Sequence, residues 1–544
     1  MYHFKRLIPA HVGLSALLML GLIAAPAAAQ EVEPISVGTE ISQGGAMRDL
    51  RIEGGKLLLT LVEARDFALQ RNLALVVERY RQEESELSLW QSEGIYDPSL
   101  SANVGGFDET SPSASNLDGA DIQTTEGQNW NFGLSRLFSS GGTGRVDFNS
   151  RRQETNSRFA ALNPSFRSDF DLSFQQPLLR DRGEDATNRF IRIARTNLDI
   201  SRENFESQVV AILQSVADAY WNLVEAQAQL GVAEESLSLA KQLHEQNRIR
   251  VDVGTLAPLE LVQSEAGIAT REEQIIRARA LVGDSEDVLR QLMNLEEPSL
   301  WDLDLILETD AERDEVAIDV DEAIATALAE RPELRTKRLA QGDLDADIEY
   351  FRNQKLPRVD LSVVYGLNGL GGDLTLRDFV TGEILQQSAG GYSDALDQIT
   401  GADFEGWSAS VNVVYPIFNR TGKAAVALAE AGFERGQVEL ADLELAVTTE
   451  VRRIARFVDT RHQTRESARV SRRLEEKNLE AEQKRYQNGM STSFQVLQIQ
   501  EDLTEARSRE VAAVTGYRKA LVQYYRAIGR LTEVSGVEIV GPES

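Results

Sequence analysis

Cysteine is absent from all 544 residues. That excludes a disulfide-stapled secreted fold and a lipid carried on an amino-terminal cysteine. Histidine is scarce. Only His244 and His462 lie beyond residue 30, and neither has a ligand-spaced partner, so a metal centre has no donor set. Basic residues are outnumbered, with 57 Lys and Arg against 86 Asp and Glu, a formal charge of −29. So acidic a chain is a poor partner for nucleic acid, and most of its carboxylates solvate the surface. Long hydrophobic runs are missing too. The apolar run Leu14–Ala25 follows Lys5 and Arg6 and precedes Ala27-Ala28-Ala29, the layout of a secretory signal over residues 1–29. Loss of that segment takes the formal charge from −29 to −31. No later stretch reaches the length of a membrane helix. The mature chain is therefore expected in an exported compartment, either soluble or crossing a membrane as a β-barrel.

Catalytic sets are missing as well. No Cys and no Ser-His-Asp grouping supplies a nucleophile. Gly366 to Gly372 leads into no helix, and Gly141-Gly142-Thr143-Gly144 lacks the Lys-Ser/Thr of a phosphate loop, so both read as turns. Acidic pairs such as Glu234-Glu235 fit solvated helix faces. The expectation is a protein that is not an enzyme and holds no cofactor or metal.

What is present is a doubling. Ala64, Ala68, Leu69, Leu75 and Pro98 recur as Ala323, Ala327, Leu328, Leu334 and Pro357, each 259 residues later. Gln-Pro-Leu-Leu-Arg-Asp-Arg-Gly (176–183) is echoed by Tyr-Pro-Ile-Phe-Asn-Arg-Thr-Gly (415–422), with the prolines 239 apart. Arg250, Gly254 and Gln263 recur as Arg485, Gly489 and Gln498, 235 apart. The shared order predicts two structural repeats, 57–296 and 318–531. An extended leader (30–56), a linker (297–317) that could hold a short strand, and a tail (532–544) complete the chain. A duplicated unit suits rings and tubes.

Residues 57–93 read as a helix stopped by Asp97-Pro98. Segments near 98–108, 168–177, 358–366 and 406–416 alternate apolar and polar over about ten residues, the length of a barrel strand tilted in a bilayer. An ordinary half-buried sheet alternates in the same way. An additional alternating hairpin, 130–138 with 145–153, occurs in the first repeat only. The segments 108–127 and 367–404 read as long loops rich in Gly, Ser, Asp and Thr. Phe205, Val209, Ile212, Val216, Ala219, Leu223, Ala226, Leu230, Ala233, Leu237 and Ala240 advance in steps of four and three, a sustained 3.5-residue period. The helix predicted over 186–252 is a rod of about 100 Å. Gly254 and Pro258 break it before a partner helix running to 296. A second rod from 423 breaks at Asn488-Gly489, and its partner runs to 531. A few strands cannot stand open in lipid, so closure requires several copies.

Between residues 57 and 531 the chain resembles the TolC-like outer-membrane efflux proteins. The carriers are the Pro-containing strand ends (Pro177, Pro416), with Gly183 and Gly422, feeding long helices, and the paired breaks Val253-Gly254-Thr255 and Asn488-Gly489-Met490. The resemblance implies an α+β membrane protein. Three chains would share one β-barrel in the outer membrane of a Gram-negative bacterium, continued by a coiled-coil α-barrel through the periplasm. Four strands per chain, twelve per trimer, are expected, with the place of the extra hairpin open. The implied role is the passive exit duct of a tripartite efflux or type I secretion system. It would work with a periplasmic adaptor docked at the helix breaks and an inner-membrane pump of RND, ABC or MFS type. The family places Asp six and nine residues after the second Gly. Here Gln495 and Gln498 stand there, with Glu260 and Gln263 in the first repeat, and Ser491 replaces a basic latch. These four residues are the expected constriction. The alternative is a periplasmic coiled-coil adaptor or scaffold that does not span the membrane.

Overall fold

A computed structural model describes residues 40–43, 51–113, 120–295, 297–308, 316–378 and 381–540. The expected secretory signal, residues 1–29, lies outside them. The chain divides into two compact units that each combine distant segments.

The first unit holds residues 86–196 and 341–436. Its centre is an antiparallel sheet of β4 (Ser99–Pro112), β5 (Ile122–Leu137), β6 (Thr143–Thr155), β7 (Leu162–Pro177), β9 (Arg358–Arg377), β10 (Ile384–Ser388) and β11 (Glu405–Val414). The order is β10-β9-β7-β6-β5-β4, with β11 also paired to β9. The expectation of four strands is thereby corrected. The hairpin β5–β6 lies inside this sheet between β4 and β7, so six long strands and the short β10 make it up. Alternation identifies the faces of a strand but not its neighbours, which is why the hairpin's place was open. The long loops are also corrected. Strand β4 runs on to Pro112, and β9 to Arg377, and the segment after it contains β10 and the helix α7 (Tyr392–Thr400).

Register makes the faces of this sheet chemically unlike. Leu134, Val146, Leu172, Tyr365 and Trp407 form one cross-strand row. Gly133, Asp147, Asp171 and Gly366 form the adjacent row on the opposite face. On the first face Leu100, Phe132, Trp407 and Val411 are exposed, Leu134, Val146 and Tyr365 are half-buried, and Leu172 is buried. The tight turn expected at Gly141–Gly144 joins β5 to β6. Gly141 donates to the Phe138 carbonyl at 2.8 Å with φ +84°, and an added Cβ would sit 2.2 Å from the Asp181 carbonyl oxygen.

The second unit holds residues 36–85, 197–340 and 437–544. In place of one helix over 57–93 there are β3 (Lys56–Leu59), α1 (Leu61–Arg71) and α2 (Leu73–Glu93). Leu57 and Leu59 are fully buried because β3 pairs in parallel with β8 (Asp304–Leu307), the strand in the linker. Thr60 and Glu63 form a capping box at the start of α1. Asn72 turns extended and separates α1 from α2. The later counterparts are α5 (Val320–Glu330), capped by Asp319, and α6 (Pro332–Gln354). Strand β2 (Arg51–Glu53) also pairs with β3. Strand β1 (Glu40–Gln43), in the leader, pairs with β12 (Val537–Val540), so the tail is not featureless.

Four long helices complete the chain: α3 (Arg189–Asp252), α4 (Leu259–Leu292), α8 (Arg420–Gln487) and α9 (Ser493–Ala527). The expected heptad residues Phe205, Val209, Ile212, Val216, Ala219 and Leu223 are buried and packed with Leu57, Tyr220, Leu289 and Leu305; Ala226 and Ala240 are buried as well, and Leu230, Ala233 and Leu237 are partly buried. A second core joins Ala323, Ala327 and Leu334 to Val447, Val451, Tyr517, Leu521 and Tyr524. Side-chain bonds join α3 to α4, α3 to α9 and α8 to α9. Lys241 pairs with Glu272 at 3.3 Å, Thr515 donates to Glu225 at 2.9 Å, and Arg472 pairs with Glu510 at 2.5 Å. α4 and α8 leave Ile276, Leu281, Val288, Val438, Leu445 and Leu474 exposed.

Candidate functional site: the paired helix breaks

Each long helix ends in the same backbone motif. At the end of α3, Val253, Gly254 and Thr255 donate to the carbonyls of Ile249, Val251 and Arg250 at 3.1, 2.9 and 2.8 Å. At the end of α8, Asn488, Gly489 and Met490 donate to Lys484, Tyr486 and Arg485 at 3.2, 3.1 and 2.9 Å. The crossed pair of bonds is a Schellman closure, which needs a left-handed residue after the helix. Gly254 has φ +75° and Gly489 has φ +72°. Glycine takes that conformation without a Cβ penalty, which accounts for its presence at both positions.

The returning helices begin differently. α9 is capped by Thr492, whose hydroxyl accepts from Gln495 N at 3.3 Å. α4 starts after Pro258 with no side-chain cap. The two breaks are tied together by Arg250, which donates to the carbonyls of Tyr486 and Gln487 at 3.2 and 3.3 Å and lies 4.3 Å from the Tyr486 ring centroid. Tyr486 in turn donates its hydroxyl to Asn247 at 2.5 Å in a buried contact. Val253 and Met490 stay exposed at the turns.

The expected constriction residues separate into pairs. Glu260 is half-buried and accepts a hydrogen bond from Ser493, the first residue of α9. Gln495 is exposed and accepts from Ser491 at 2.8 Å. Ser491, in the latch position, also donates to the buried Glu482. Gln263 and Gln498 meet on one groove of about 390 Å³ between α4 and α9, whose floor reaches Ser236 of α3. Composition and spacing did not single out Arg271, Ser493, Glu482 or Tyr486. Burial of a polar side chain is their signal, and it is visible only once the helices are packed.

At the strand-to-helix junctions, Pro177 ends β7 opposite Asp360. Gly183 has φ +88° and donates to the Ser140 carbonyl at 3.0 Å. Pro416 follows β11, with Tyr415, Ile417 and Phe418 exposed around it. Gly422 lies inside the first turn of α8 and not at its boundary. Its N–H meets the Asn419 side chain at 3.2 Å, and a Cβ there would crowd that amide. Among the described residues no helix is long and apolar enough to cross a membrane, and no cluster of His, Cys, Asp or Glu could hold a metal.

Comparison with known proteins finds the outer membrane efflux protein family matching residues 146–295 and 323–530. The pyoverdine export outer membrane protein OpmQ of Pseudomonas putida is 24% identical over 412 residues, covering 73% of this chain and 77% of that protein. The Campylobacter jejuni CmeC outer membrane channel superposes with a TM-score of 0.62 at 17% identity, covering 87% of this chain and 86% of that one. The Neisseria gonorrhoeae MtrE outer membrane channel, in its open state, gives 0.58 at 16% identity, covering 91% and 96%.

Proposed function

The chain belongs to the outer membrane efflux protein family, and on that footing we propose that it is the passive exit duct of a tripartite efflux or type I secretion system. Membership makes it an outer-membrane channel and not an enzyme. The alternative of a non-spanning periplasmic scaffold has no place for the seven-stranded sheet with one partly exposed apolar face.

The observation that carries the reading is that sheet. β4 and β11 are each paired on one side only. Open edges leave backbone polar groups unsatisfied in lipid, so the sheet closes with copies of itself. Three copies would supply eighteen long strands in place of the twelve expected from alternation. The exposed apolar side chains of α4 and α8 would meet between neighbouring copies. The repeat is part of the same reading. α1 and α5, and α2 and α6, begin 259 residues apart, as do the two prolines that precede β4 and β9. Two like halves in three chains place six quasi-equivalent units around one axis.

In this duct the breaks at 253–255 and 488–490 are the periplasmic tip. There an adaptor protein coupled to an inner-membrane pump docks. Glu260, Gln263, Gln495 and Gln498 lie beyond those breaks, in the narrowest stretch of the tube. A ring of Glu260 carboxylates favours cations and binds multivalent cations as blockers.

The test is native mass spectrometry of the detergent-purified protein together with the variant Val411→Asp. Val411 lies on the apolar face of β11. Wild type is expected as three chains. The variant, with a charge on the lipid face, is expected to fail to insert. A monomeric wild type, or normal insertion of the variant, contradicts the assignment.

A further inference from the structure

Among the described residues four arginines are nine-tenths buried or more: Arg271, Arg290, Arg331 and Arg518. Arg290 lies 3.1 Å from Glu286 and 2.9 Å from Asp287. Arg331 is paired with Glu333 and with Glu450. Arg518 lies 5.3 Å from the centroid of the Trp221 ring. Arg271, 8% exposed, has no carboxylate within ion-pair distance among the described residues. Its Nε donates to Ser236 Oγ at 3.0 Å and one terminal nitrogen donates to the Gly267 carbonyl at 3.1 Å. A guanidinium carries five N–H donors, so most of its capacity is left over.

Those remaining donors belong to a group that lines the groove between α4 and α9. Ser236 is fixed beneath it, since its hydroxyl also meets Thr504 at 3.0 Å. The exposed side chains of Gln263 and Gln274 add amide N–H groups to the same wall. Glu501 stands on the groove too, exposed and beyond ion-pair distance. Burial lowers the Arg271 pKa, and the field of Glu501 opposes that only in part.

The second half packs without a cation at the matching place. The position 235 residues later in the second half is Ala506, itself buried. The neighbouring Arg507 is satisfied by Glu235 at 2.6 Å and Glu476 at 3.2 Å. A buried guanidinium without an acid is costly unless a counter-charge reaches it. We propose that the groove between α4 and α9 binds the oxyanion of a small solute, a carboxylate or phosphate group, with Arg271 as the anchoring cation. A planar guanidinium fork suits such groups and holds them in one orientation. The site stands on the groove alone and does not depend on the duct reading.

The test is titration calorimetry of the full-length detergent-purified oligomer with inorganic phosphate at constant ionic strength. One phosphate per chain is expected. Arg271→Gln should weaken binding by about tenfold or more, and Arg271→Lys should fall between, since it keeps the charge and loses the fork. Glu501→Gln should tighten binding by about threefold, because it removes a like charge from the anion's surroundings. No other role for Arg271 requires that opposite response. Absence of binding to wild type, equal binding to Arg271→Gln, or no tightening in Glu501→Gln would each overturn the proposal. If a carboxylate from a neighbouring copy fills the groove instead, wild type takes up no phosphate and Arg271→Gln dissociates the oligomer.

Discussion

The two helix breaks share a backbone and differ in side chains. Three hydrogen bonds recur residue for residue at Val253–Thr255 and Asn488–Met490, each around a glycine of positive φ. One return is capped by Thr492 and the other starts uncapped after Pro258. Six residues past the glycine stands Glu260 in one and Gln495 in the other. The matched arginines diverge as well. Arg250 reaches across to Tyr486 and Gln487, whereas Arg485 pairs locally with Glu482 at 3.0 Å. The turn is thus dictated by the geometry of reversing a helix, and the side chains around it are free to change.

The largest effect should come from breaking what is shared. Gly254→Val combined with Gly489→Val forces a β-branched residue into left-handed backbone twice, at about 1–3 kcal/mol each. Export is expected to stop while the oligomer remains in the membrane, measured by efflux assay and membrane fractionation. Next is the arginine pair. Arg250→Ala loses two carbonyl bonds and the Tyr486 stacking and should cost about 1–2 kcal/mol. Arg485→Ala removes an exposed partner from the buried Glu482, which keeps its hydrogen bond from Ser491, and should cost less, under about 1 kcal/mol. Equal costs in thermal unfolding would erase the asymmetry. Thr492→Ala deletes the one side-chain cap and should cost about 1 kcal/mol, with hydrogen exchange rising first at the start of α9. The smallest effect on stability is at Glu260. Glu260→Gln should leave the melting temperature unchanged and reduce cation selectivity and divalent block, while Gln495→Glu should increase both. Unchanged selectivity in single-channel recordings would remove these positions from the constriction.

The sequence made the long helices and their breaks readable because period and glycine are local signals. Phe205 to Ala226 carry a 3.5-residue period that only a packed helix explains, and Gly254 and Gly489 end their helices where φ must be positive. Strand faces were readable for the same reason. The partners were not. Nothing local tells that β5 and β6 lie between β4 and β7, or that Leu57-Leu58-Leu59 is a strand, since its register comes from Leu305 about 250 residues away. Asn72 ends α1 through an extended backbone that no glycine or proline announces. At the site, Gln263 and Gln498 meet on one groove, but Glu260 is engaged by Ser493, a contact between helices that spacing cannot show.

On the proposed reading, copies of this chain close into an open water-filled duct. Planar-bilayer recording of the purified oligomer tests it most directly. Discrete, cation-preferring conductance steps are expected, reduced by divalent cations on the periplasmic side and less so in Glu260→Gln. An inserted oligomer that passes no ions under any voltage or salt condition would contradict it.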